Sequence, residues 1–75
     1  MPKGLIEYLA KSLVDKPEAV FIQESTEGPK VVWYIHVDEQ DRGKIIGKGG
    51  KTIRSIRSVV SVMFPSFNIF IDIAK

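Results

Sequence analysis

The chain has 75 residues and no cysteine, which excludes a disulfide framework and a thiolate metal site and fits a reducing compartment. No apolar run approaches the roughly 20 residues that cross a bilayer, and the N-terminal residues lack the long apolar core of a signal peptide. A cytoplasmic protein without membrane contact is therefore expected. Histidine occurs once, as His36 between Ile35 and Val37, where it reads as a structural or surface residue rather than a catalytic one. Repeats and low-complexity tracts are missing too. The most informative absence is acidic: between Arg42 and Arg57 there are six basic side chains and no Asp or Glu.

What is present describes an ordinary small globular domain. Apolar residues make up 44% and charged residues 27% of the chain, so disorder is not indicated. Residues 1–75 form one domain, and a chain this short buries proportionally little surface, which makes help from a partner plausible. The net charge of +2 hides an asymmetry. Residues 1–41 hold four lysines and eight acids, whereas residues 42–75 hold seven basic residues and one acid, Asp72. The basic stretch is either a polyanion-binding patch or a solvated face that keeps a small domain soluble.

Along the chain, Leu5, Ile6, Leu9, Ala10 and Leu13 recur at helical spacing and predict an amphipathic helix ending near Asp15. Pro17 stops it. A strand is expected over 18–25, a turn at Glu27-Gly28-Pro29, and a second strand in which Val31, Trp33, Ile35 and Val37 face the core. Asp41, after the polar connection Asp38-Glu39-Gln40, is placed to N-cap a short helix carrying Ile45 and Ile46. Gly47 ends that helix. A longer helix is expected from about Gly50 to Phe64, with Ile53, Ile56, Val60 and Met63 turned inward. Beyond Pro65, a last strand over 67–73 directs Phe67, Ile69, Ile71 and Ile73 to the core.

The order is α-β-β-α-α-β, an α+β fold. Right-handed crossovers join parallel strands, so the third strand should run parallel to the second and the hairpin should stay antiparallel. Three helices would cover one face of this three-stranded mixed sheet. The other face would show Phe21, Tyr34, His36 and Phe70.

Chemistry concentrates at Gly47-Lys48-Gly49-Gly50-Lys51, between the two helices. Glycines let backbone N–H groups come close to a ligand, and the start of the following helix offers orphan donors and partial positive charge. A phosphate is the natural guest of such a turn.

Ile46-Gly47-Lys48-Gly49-Gly50-Lys51-Thr52-Ile53 resembles the KH-domain signature, an I-G-x-x-G turn between two helices with a further aliphatic residue three positions on. The element order is similar to the type II, bacterial arrangement, and the whole chain looks like the small stand-alone bacterial KH proteins of the KhpA family. The resemblance implies binding of single-stranded RNA, with the turn clamping about four nucleotides of backbone, and a role as an RNA chaperone or post-transcriptional regulator. On that reading the amides of Lys48, Gly49 and Gly50 face phosphates and Gly47 and Gly50 admit the strand. Lys48 and Lys51 add charge. Lys44, Arg54 and Arg57 line the approach, and Ile45, Ile46 and Ile53 floor an apolar groove under the bases. Core packing accounts for Ile46 and Ile53 at least as well, so groove exposure is expected for Ile45 alone. Single-stranded DNA is an alternative guest that these residues leave open.

Other chemistries have less support. Gly50-Lys51-Thr52 imitates the end of a P-loop, but that motif needs a glycine where this chain has Ile45. Asp38, Glu39 and Asp41 are explained by capping and solvation without a metal or acid–base role. No catalysis and no cofactor are expected. Ser55, Ser58, Val59 and Val62 form a second stripe on the long helix, either an interface or overspill from a small core. With the family resemblance, the stripe suggests a homodimer or a heterodimer with another KH protein.

Overall fold

The computed structural model describes residues 2–65 and 69–75. Its elements are α1 (Pro2–Leu13), β1 (Phe21–Glu27), β2 (Lys30–His36), α2 (Arg42–Ile46), α3 (Lys51–Met63) and β3 (Phe70–Ile73). The strand order is β1-β2-β3, with β1 antiparallel and β3 parallel to β2. This is the mixed sheet that the crossover rule requires.

One contiguous core lies between the helices and one sheet face. Ile6 and Ala10 enter it from α1, Ile22, Ile35 and Ile71 from the sheet, Ile45 from α2, and Ile53, Ile56 and Val60 from α3. The pair Ile22 and Ile35 lies directly opposite across the hairpin, so the period-2 alternation of both strands converges on the helical layer. Pro2 starts α1, where its missing N–H costs nothing.

Several expectations need correction. The segment Pro17–Ala19 is a 3-10 turn, and β1 begins only at Phe21. Helix α1 ends at Leu13, short of Asp15, because the next residues are tied elsewhere: the Asp15 and Lys16 amides donate to the Asp41 carboxylate at 3.3 and 3.0 Å. Leu13, the last residue of α1, is 42% exposed. Met63 is likewise exposed at the end of α3, and the following Phe64 packs on the core instead. On β2, Val31 is only half-buried, whereas Val32, on the opposite face, is buried. Phe67, expected to open the last strand, lies outside the described residues.

The face away from the helices carries Phe21, Tyr34, His36 and Phe70, of which Phe21 and Phe70 are the most exposed. Tyr34 donates its hydroxyl to Glu27 at 2.6 Å, and that hydrogen bond to a carboxylate raises the phenol above its ordinary value of 10.0.

Candidate nucleic-acid interface

The turn is held by its own backbone. Gly47, at the end of α2, has φ 74° and donates its N–H to Gly43 O at 2.8 Å. Gly49 and Gly50 also have positive φ, 63° and 77°. The Gly50 N–H donates to Gly47 O at 3.1 Å, and the Lys51 N–H donates to Lys48 O. These bonds close the turn and use neither the Lys48 nor the Gly49 amide. A Cβ on Gly47 would lie 2.2 Å from Thr52 Oγ1 and 2.8 Å from the Thr52 backbone nitrogen. Thr52 thus packs against the inner side of the turn, where only glycine fits. Among the described residues, a Cβ on Gly49 would meet nothing within 4 Å.

The basic belt separates into parts. Lys48, Lys51 and Arg54 surround the turn, are exposed, and among the described residues have no carboxylate within ion-pair distance. Arg54 also donates to Gly49 O at 2.8 Å, which pins the outer carbonyl of the turn. Lys44 is engaged elsewhere: it hydrogen-bonds Asp15 and lies 3.8 Å from Asp41. The Asp15 hydrogen bond, reinforced by both carboxylate charges against some desolvation, raises the Lys44 ammonium above its ordinary 10.5. Arg57 is drawn to β3, where its Nε–H donates to Ile71 O at 2.9 Å. Neither Lys44 nor Arg57 is therefore a free cation beside the turn.

The two isoleucines of α2 exchange roles. Ile45, expected in the groove, is fully buried in the core, and Ile46 is 37% exposed. A five-residue helix presents its inner side at only one or two positions, and Ile45 takes it. Ile53 is in the core. Asp41 is also corrected. It precedes α2 but makes no side-chain capping bond there; its buried carboxylate accepts from Asp15 and Lys16, tying the end of α1 to the start of α2. Asp38 does cap, accepting from the Gln40 N–H at 2.9 Å. Among the described residues, no three His, Asp or Glu side chains converge as a metal site, and no helix is long and apolar enough to cross a membrane.

On α3, Ser55 turns its hydroxyl back to Lys51 O at 3.0 Å. Val59 and Val62 are exposed, with Met63 beside them.

An Ile-Gly-x-x-Gly turn between two helices, standing over a three-stranded mixed sheet of this order, defines the KH class of domain. Comparison with known proteins narrows the class: the family described as KhpA/KhpB, KH domain matches residues 3–68, and the chain belongs to it. The RNA-binding protein KhpA of Oceanobacillus iheyensis is 47% identical over 58 residues, 77% of each chain. Its counterpart in Clostridium perfringens is 45% identical over 58 residues, again 77% of each. That of Thermotoga maritima is 39% identical over 61 residues, 81% of each. No solved structure matches the chain significantly.

Proposed function

We propose that this protein binds single-stranded RNA by clamping its backbone at the Gly47–Gly50 turn. The observation that carries the reading is the combination of two amides left over by the turn, those of Lys48 and Gly49, with three cations around them that have no acidic partner among the described residues. Charge-assisted N–H bonds to phosphate oxygens suit that arrangement. Relatives over most of the chain carry the name RNA-binding protein. Ile46 replaces Ile45 as the apolar contact for a base. Such a clamp forms and breaks no covalent bond, which fits an RNA chaperone or post-transcriptional regulator rather than an enzyme.

The test is the double variant Lys48→Asp, Gly49→Asp. Both positions are exposed, and Asp tolerates positive φ better than most residues. Oligoribonucleotide affinity is expected to fall more than about tenfold, because the charge reversed at 48 and the negative charge added at 49 both face phosphate, while the thermal midpoint stays close to that of the wild type. Unchanged affinity refutes the clamp. Three phosphate contacts on a single strand also give log K a slope of about −2 against log salt.

A second reading is favoured by one observation: Val59, Val62 and Met63 are 43%, 77% and 62% exposed along the last turns of α3. We infer a contact there with a second copy or another KH protein, which would place two clamps on one particle and raise avidity. Val59→Asp is expected to give a monomer in sedimentation. An oligomer that survives it would exclude this surface.

A further inference from the structure

The sheet face turned away from the helices has two ends of different character. At one end Phe21 and His36 stack face to face with centroids 4.1 Å apart, so each ring has already used one face. Toward the other end a cleft of about 470 Å³ opens beside β3, lined also by Arg57 and Ser61 of α3, with Tyr34 and Phe70 in its walls and Lys30, Glu27 and Asp72 around it. Its base includes Val32, which is 6% exposed yet stands outside the core cluster beneath the helices. Phe70 is 38% exposed, and the Lys30 ammonium sits 5.1 Å from its ring centroid. Arg57 is fixed at the rim by its bond to Ile71 O and by Asp72, 3.9 Å from the guanidinium.

Three kinds of group face the cleft, and together they narrow the ligand. An exposed ring offers a flat π-face. Two cations suit an anionic group, and two carboxylates accept N–H bonds. A simple anion would be opposed by Glu27 and Asp72, while a purely apolar guest would leave four charges at its edge. A nucleotide offers a stacking base, N–H donors on that base, and a phosphate. The volume lies within the range of small-ligand sites, about 300–1,000 Å³. Position agrees as well. Arg57 follows Gly50 by seven residues along α3, about 10 Å at about 1.5 Å per residue, so a strand held at the turn reaches the cleft within a few nucleotides.

We propose that this cleft is a second nucleotide subsite, which stacks an unpaired base of the bound strand on Phe70 beside Tyr34 and meets its phosphates with Lys30 and Arg57. The proposal rests on the clamp described above and extends the bound length past the roughly four nucleotides of that clamp. Lys30 swings off the Phe70 ring as the base arrives, so the ring exchanges one partner for another.

The experiment compares oligoadenylates of about four and about ten nucleotides on the wild type, on Phe70→Leu, on Lys30→Ala and on the double turn variant. Phe70→Leu is expected to lower affinity for the longer strand about fivefold or more, the scale of one lost stacking contact, and to leave the shorter strand unaffected. Lys30→Ala acts in the same direction. The turn variant lowers both. If the turn variant changes neither length, the clamp fails and the subsite with it. If it lowers both while Phe70→Leu and Lys30→Ala change neither, the subsite alone is overturned. NMR of the wild type is independent of any folding defect: the Phe70 and Tyr34 ring signals should move with the longer strand only, and rings left unmoved by it overturn the proposal. A changed oligomeric state in Phe70→Leu with unchanged affinity for the longer strand assigns this face to a protein contact and also overturns it.

Discussion

The unit made of α2, the turn and α3 has an inner and an outer side, and the two obey different requirements. Inside, Ile45 and Ile53 belong to the core, and Thr52 occupies the space in which a Gly47 side chain would begin. Outside, Ile46 is exposed, and among the described residues Lys48 and Lys51 have no acidic partner and the space over Gly49 is open. Gly47 and Gly49 share a positive φ, 74° and 63°, but differ in ψ, 170° against 21°. Their shared residue type therefore has two origins. Backbone and packing together demand glycine at 47; at 49 the backbone alone favours it, and the room above is left for a ligand.

The largest effect that can break this comparison lies in the adjacent isoleucines. Ile45→Ala removes a fully buried side chain and should cost about 2–5 kcal/mol, which lowers Tm by about 10 °C or more in a domain of this size. Ile46→Ala should cost less than about 1.5 kcal/mol, because part of that side chain is already in water. Binding should rank them the other way: with the fold intact, Ile46→Ala weakens oligoribonucleotide affinity, and Ile45→Ala acts only through the fraction unfolded. Thermal denaturation followed by circular dichroism, beside an anisotropy titration, reads both. Equal losses of stability would mean that α2 has no distinct inner side.

The same pair shows how far the chain could be read without coordinates. Element order, the hairpin and the parallel third strand were legible because α1, α3 and the strands are long enough for their apolar period to repeat. The glycine turn was legible by composition. Helix α2, with five residues, is too short for its period to separate Ile45 from Ile46. Asp41 misled for another reason: a carboxylate before a helix reads as a cap, and its actual partners, Asp15 and Lys16, lie 26 and 25 residues away. Distance in sequence also hid Arg57, whose carbonyl partner on β3 lies 14 residues on. Leu13 and Met63 fit their helical stripes, but a stripe does not say where the covering layer ends.

The smaller and sharper effect separates Gly47 from Gly49. Alanine at 49 adopts a left-handed backbone that costs about 1–2 kcal/mol, whereas the φ 74° and ψ 170° of Gly47 lie in a region essentially confined to glycine. Gly49→Ala should lose about that and no more, since its Cβ enters open space. Gly47→Ala must in addition displace Thr52, whose backbone nitrogen sits 2.8 Å from the new Cβ and cannot rotate away as a side chain does. Its loss in urea unfolding should therefore exceed that of Gly49→Ala by about 1 kcal/mol or more. Asparagine refines the test. It tolerates the left-handed region, so Gly49→Asn should recover most of the stability lost by alanine, whereas Gly47→Asn should recover little, because its ψ of 170° lies outside that region and the collision begins at Cβ. If both glycines respond alike to alanine and alike to asparagine, neither the distinct backbone of Gly47 nor the contact with Thr52 imposes an added constraint on the inner wall.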